Sequence, residues 1–123
     1  MRTWIMAKLQ YNEHQLRRFV VSSLREWPGL KVVPTDGSGL VGFPDLMVFR
    51  KDRTSLIELK VGKAKLRKAQ EDFRLDIGEL TGPNLTYEIW REPGHFEEFI
   101  QDVFGVDVTG TYLDEFTEFL KKG

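Results

Sequence analysis

GFPDLMVFRKDRTSLIELK, residues 42–60, is the stretch that decides the fold. Asp45 stands directly before an apolar run over 46–49. The polar link RKDRT follows, then a second apolar run over 56–61 that carries one glutamate and one lysine. Two runs rich in Val, Ile, Leu and Phe around a short polar link predict a β-hairpin. Side chains alternate along a strand, so Ile57, Leu59 and Val61 share one face and Leu56, Glu58 and Lys60 the other. Strand pairing then brings the Asp45 carboxylate towards that of Glu58.

Two carboxylates and an ammonium in an apolar sheet are costly to bury unless they pair or hold a cation. Like charges that close raise one of the two pKa values, and a divalent ion removes the penalty. Oxygen donors of this kind favour Mg²⁺ or Mn²⁺, with positions left for water and a phosphate oxygen. Such an ion acidifies a water and neutralises charge on a phosphodiester in the transition state. Lys60, one pleat along, can orient that water or stabilise the phosphorane by its point charge. The stretch outlines a phosphodiester-hydrolysis site. The bland alternative is a solvated hairpin face that displays Glu58 and Lys60 as an ordinary charge pair.

Upstream, Asn12 and Gln15 form a capping-box pattern, and Leu16, Phe19, Val20, Ser23, Leu24 and Trp27 keep helical spacing until Pro28-Gly29. Glu13 falls in the first turn, either as an additional metal ligand or as an acid favoured by the helix dipole. Arg17 and Arg18 read as surface residues or weak phosphate contacts. Residues 30–34 predict a short strand. Residues 35–43, TDGSGLVGF, form a glycine-rich loop without the Gly-Lys-Ser/Thr ending of a nucleotide-binding P-loop. The loop suits close approach to a DNA backbone or a metal, or is a flexible connection. Asp36 reads as a turn residue.

Downstream, the pattern predicts a helix over 64–80 with Leu66, Ala69, Gln70, Phe73, Ile77 and Leu80 on its apolar face. Gln70 is the one polar group there, and a buried amide needs a partner. A catalytic carboxylate, Lys60 or a scissile phosphate would satisfy it; the alternative is a half-exposed glutamine. The bases Lys63, Lys65, Arg67, Lys68 and Arg74 fall outside that face and suit a DNA-tracking surface, although a merely solvated face is the usual fate of such a run. Residues 85–90 predict a further strand. Residues 95–104 and 112–120 predict helices, with 106–111 a short strand or a loop. His95, after Pro93-Gly94, reads as structural. The acids of these last helices read as wet faces or as charges that compete with DNA.

At 123 residues, 41% hydrophobic and 30% charged, the chain predicts one soluble domain. It contains no cysteine, which excludes disulfides, zinc–thiolate sites and cysteine nucleophiles and suits a reducing cytoplasm. The opening residues carry too short an apolar run for a signal peptide, and no stretch approaches a membrane span. A net charge of −1 looks wrong for a DNA binder, but sixteen of the 18 bases and only eleven of the 19 acids precede Glu92. A basic body with an acidic tail is compatible with a polyphosphate partner.

Pro44-Asp45 followed by Glu58-Leu59-Lys60 resembles the signature of the PD-(D/E)xK nucleases. With Glu13 on an early helix, Gly42 before the Pro-Asp, Gln70 on the following helix and a strand running into Trp90-Arg91, the pattern is similar to the compact VRR-NUC branch. That branch occurs alone in phages and bacteria and fused to larger DNA-repair nucleases. The resemblance covers about residues 11–91 and leaves 92–123 as an acidic helical extension. It implies an α/β, restriction-endonuclease-like core with a mixed central sheet flanked by helices. It also implies a Mg²⁺- or Mn²⁺-dependent DNA endonuclease, selective for branched, junction or flap DNA, acting as a homodimer in the cytoplasm, including that of a phage host. Asp45, Glu58, Glu13 and the main-chain carbonyl of Leu59 are the implied metal ligands, with Lys60 and Gln70 completing the catalytic set. A nickase or restriction-like nuclease, a catalytically silent nucleic-acid-binding module of the same fold, and a small interaction or assembly protein are the competing expectations.

Overall fold

The computed structural model describes residues 10–35 and 41–122. Residues 1–9 and 36–40, which include the opening residues and the Asp36-to-Gly39 part of the glycine-rich loop, lie outside the described residues. Asn12 opens the first helix as its sequence predicts: its side chain accepts from the Gln15 N–H, and the Gln15 side chain accepts from the Asn12 N–H, both at 2.8 Å. The elements follow as α1 (Glu13–Leu24), β1 (Lys31–Pro34), β2 (Leu46–Arg50), β3 (Arg53–Leu59), α2 (Lys68–Gly78), β4 (Leu85–Trp90), α3 (Pro93–Phe104) and α4 (Thr111–Lys121). Residues 106–110, left open as strand or loop, are a loop.

The four strands form one open mixed sheet in the order β1-β2-β3-β4. The first three are antiparallel neighbours; β4 pairs with β3 in parallel, after the crossover through α2. Arg50 pairs with Arg53, so the hairpin turns on Lys51-Asp52 alone. The five-residue link expected from the sequence is thus shorter, because Arg50, Arg53 and Thr54 extend the ladder. Leu46 pairs with Ile57, which sets Asp45 opposite Glu58 as the pairing continues. β3 is buried on both faces from Ser55 to Leu59, as befits a strand between two others with helices on each side.

One face of the sheet presents Val32, Leu46, Val48, Ile57, Leu59 and Trp90 to a core shared by α1, α3 and α4. Aromatic rings dominate it. Phe19 packs against Tyr112, Phe116 and Phe119, and Trp90 against Phe96 and Phe99. The C-terminal helices are therefore part of the same core as the sheet. Their acids are not all wet: Glu97 is 2% exposed and accepts from the N–H groups of Gly110, Tyr112 and Leu113 at the start of α4.

The other face carries α2, whose Phe73 sits between Phe43 and Tyr87. This helix spans Lys68–Gly78 rather than the expected 64–80. Gly62 turns at φ +58°, and the Arg91 guanidinium donates to the carbonyls of Gly62 and Ala64, holding that segment out of the helix. Leu66 is half-buried and Leu80 exposed, so the apolar face is shorter than its sequence pattern. Among the described residues no helix is long and apolar enough to cross a membrane.

Candidate metal centre

The end of β3 gathers the side chains. Glu13, Asp45 and Glu58 each bring a carboxylate oxygen to within 4.8 Å of the others. Glu13 comes from the first turn of α1, Asp45 from the residue before β2, and Glu58 from the buried centre of the sheet. Asp45 is held on both oxygens. Oδ2 accepts from the Leu59 N–H at 2.8 Å, and Oδ1 lies 3.7 Å from the Arg17 guanidinium. A residue's N–H and C=O leave a strand along the same edge, so the Leu59 carbonyl is also directed to the Asp45 side.

Glu58 is fully buried. Its Oε1 accepts from Gln70 Nε2 at 3.2 Å, while Oε2 has no hydrogen-bond partner. With the Asp45 carboxyl, Oε2 can pair only by sharing a proton. Burial is the main force that pushes the Glu58 carboxyl up to about 9; a hydrogen bond with Asp45 and the charges of Asp45 and Glu13 add to it, and Lys60 opposes it. Lys60 itself is 6% exposed, buried on the same strand face two residues on.

Gln70 is 4% exposed, and the partner its burial demands is Glu58. It stands in the first turn of α2, not one or two turns in, and its Oε1 also accepts from the Arg67 N–H at 2.8 Å. One amide therefore caps a helix and fixes a carboxylate. Gly42 seats that turn. It holds φ +81°, and a Cβ there would stand 2.3 Å from the Ala69 carbonyl oxygen. Of the five bases expected to face DNA, all are exposed. Lys63, Lys65 and Arg67 precede the helix, whereas Lys68 and Arg74 form ion pairs with Asp72 and Glu71.

Two residues escaped the sequence reading. Arg17, expected as a surface residue or a weak phosphate contact, faces Asp45; its position four residues after Glu13, on the same side of the helix, was the available signal. Tyr87 places a buried hydroxyl without a hydrogen-bond partner on the face that holds Glu58. Burial first, then the Glu58 charge, pushes its phenol up to about 12.

The donor set fits a hard divalent ion: three carboxylates converge, one keeps an orphaned buried oxygen, and no nitrogen or sulfur ligand accompanies them among the described residues. Fold and site together describe an α/β domain with a convergent carboxylate cluster at the end of its central hairpin. No family model, curated protein or solved structure matches the chain.

Proposed function

We propose that this protein is a divalent-cation-dependent nuclease that hydrolyses phosphodiester bonds in DNA, on a core of the PD-(D/E)xK type. The observation that carries the reading is the convergence of Glu13, Asp45 and Glu58 within 4.8 Å, with the buried Lys60 following Glu58 by one pleat. The helix–three strands–helix–strand order and the mixed sheet also support it.

Asp45, Glu58, Glu13 and the Leu59 carbonyl are the groups that would hold Mg²⁺ or Mn²⁺. When bound, such an ion supplies Lewis acidity toward the phosphate and acidifies a water. The residues themselves do the positioning. Gln70 fixes one oxygen of Glu58 and leaves the other directed at the cluster. The Leu59 N–H and Arg17 hold Asp45 in place. Lys60 orients the attacking water or offsets charge building on the phosphoryl oxygens. Lys63, Lys65 and Arg67 take the phosphate backbone, with Lys68 and Arg74 weaker because their charges are already shared. Selectivity for junction or flap DNA, a homodimeric state and a cytoplasmic site of action complete the proposal, on the strength of the family resemblance.

Cleavage of labelled duplex, flap and four-way-junction DNA with Mg²⁺, Mn²⁺ or EDTA tests it, with wild type beside Lys60→Ala and Asp45→Ala. The expected result is cutting that needs the metal and falls by about 10²-fold or more in both variants. Cutting in EDTA, or full activity in both variants, overturns the site. Salt-sensitive binding without cutting in any metal would leave the binding module of the same fold.

A further inference from the structure

The outer face of α1 carries two cations, Arg18 and Arg25, that the proposed function does not use. His14, Arg18, Ser22 and Arg25 recur at helical spacing, with Arg17 and Val21 beside them. These residues line a groove of about 500 Å³, closed by Pro34 of β1 and Phe119 of α4. From His14 to Arg25 the helix rises about 16 Å. The inner end of the groove is the first turn of α1, where Glu13 joins the carboxylate cluster and Arg17 reaches Asp45 at 3.7 Å.

Three guanidiniums line this groove, and no carboxylate is among its lining residues. A helix surface can pair opposite charges that stand three or four residues apart. α2 does so, pairing Lys68 with Asp72 and Arg74 with Glu71. α1 does not: no acid stands three or four residues from Arg18 or Arg25. The Arg18 guanidinium instead lies over the Phe119 ring, 5.6 Å from its centroid, which fixes the charge at the groove wall. Arg18 and Arg25, with no acid three or four residues away on the helix, lead towards a convergent carboxylate cluster and are complementary to a polyanion whose one bond is to be placed at that cluster.

We infer that the α1 groove binds the phosphodiester backbone of the DNA strand that runs into the cluster, a second anion track apart from the bases before α2. The inference rests on the proposed nuclease reading for its choice of ligand. Arginine suits the task because its planar fork grips phosphate oxygens in pairs. His14 and Ser22 add hydrogen-bonding capacity between the cations.

The test is Arg18→Gln/Arg25→Gln, read by DNA affinity in EDTA over a salt titration, with single-stranded and duplex oligonucleotides. Loss of two phosphate contacts is expected to lower the slope of log affinity against log salt by about 1.4–1.8. Arg18→Lys/Arg25→Lys should recover most of that slope. In metal-dependent cleavage the Gln variant should show a raised KM for DNA. A Gln variant that stays folded and keeps the wild-type slope overturns the inference, as does a wild type without DNA affinity at low salt. A wild type that binds with the expected slope difference but never cuts overturns the nuclease reading and leaves the groove.

Discussion

Glu58 illustrates at the residue scale why a buried acid survives in the middle of a sheet. Gln70 satisfies one of its oxygens, and the other can pair with Asp45 only when the two carboxyls share a proton. Its carboxyl, ordinarily near 4.5, is pushed up to about 9 by burial and by Asp45. The native protein therefore keeps a proton that the unfolded chain has released. It follows that this group's share of metal-free stability is complete below about pH 4.5, is lost progressively as pH rises, and is gone above about pH 9. Glu58→Gln should remove that decline, so that in EDTA at pH 8 the variant unfolds at higher urea than wild type. It should also lose any rise in Tm on adding Mn²⁺. Urea denaturation of both proteins from pH 5 to 9 checks the sign. A wild type that gains stability relative to the variant over that range would show that Glu58 is ionised in the fold.

Among the elements, α4 has the least local support at its start. Its N-cap position is Gly110, which has no side chain to offer, and the first-turn N–H groups are met by Glu97 from the neighbouring helix. The attraction between a carboxylate and a helix N-terminus adds to those hydrogen bonds. Glu97→Ala leaves buried donors unmet and is expected to cost about 2–4 kcal/mol in chemical denaturation. A loss below about 0.5 kcal/mol would mean that water replaces it readily. The same contrast explains what the sequence could convey. The proximity of Asp45 and Glu58 was legible because two adjacent apolar runs around a short polar link pair locally, and Gln70 because it broke an apolar face. Glu97 was not, since its partners lie 13 to 16 residues away on another helix. The start of α2 was misplaced because Arg91, brought in from beyond β4, holds the preceding turn. Arg17 was misread because a surface arginine and one aimed at a carboxylate look alike until the strand that carries the carboxylate is placed.

For the whole molecule, the acidic C-terminal segment is a structural partner of the basic body. Tyr112, Leu113 and Phe116 are buried, and Phe116 contacts both Tyr11 and Phe19. Removing residues 105–123 would uncover Phe19 and Phe96 together, with each large aromatic worth about 3–5 kcal/mol when its packing is lost. The expected outcome is a chain without a cooperative thermal transition by circular dichroism. A truncated protein that melts sharply would show that the sheet, α1 and α3 suffice. On this account a change in DNA affinity after truncation reports loss of the fold before it reports relief of electrostatic competition.

Gln70 joins two neighbourhoods through a single amide, one end on Glu58 and the other on the backbone that opens α2. Whatever neutralises or fixes Glu58 therefore also biases the turn from which Arg67 and the preceding lysines project. Under the proposed function, a cation at the carboxylates and a polyanion along those bases then share a coupling free energy. Such a coupling is reciprocal: the factor by which a cation tightens the hold on a polyanion must equal the factor by which the polyanion tightens the hold on the cation.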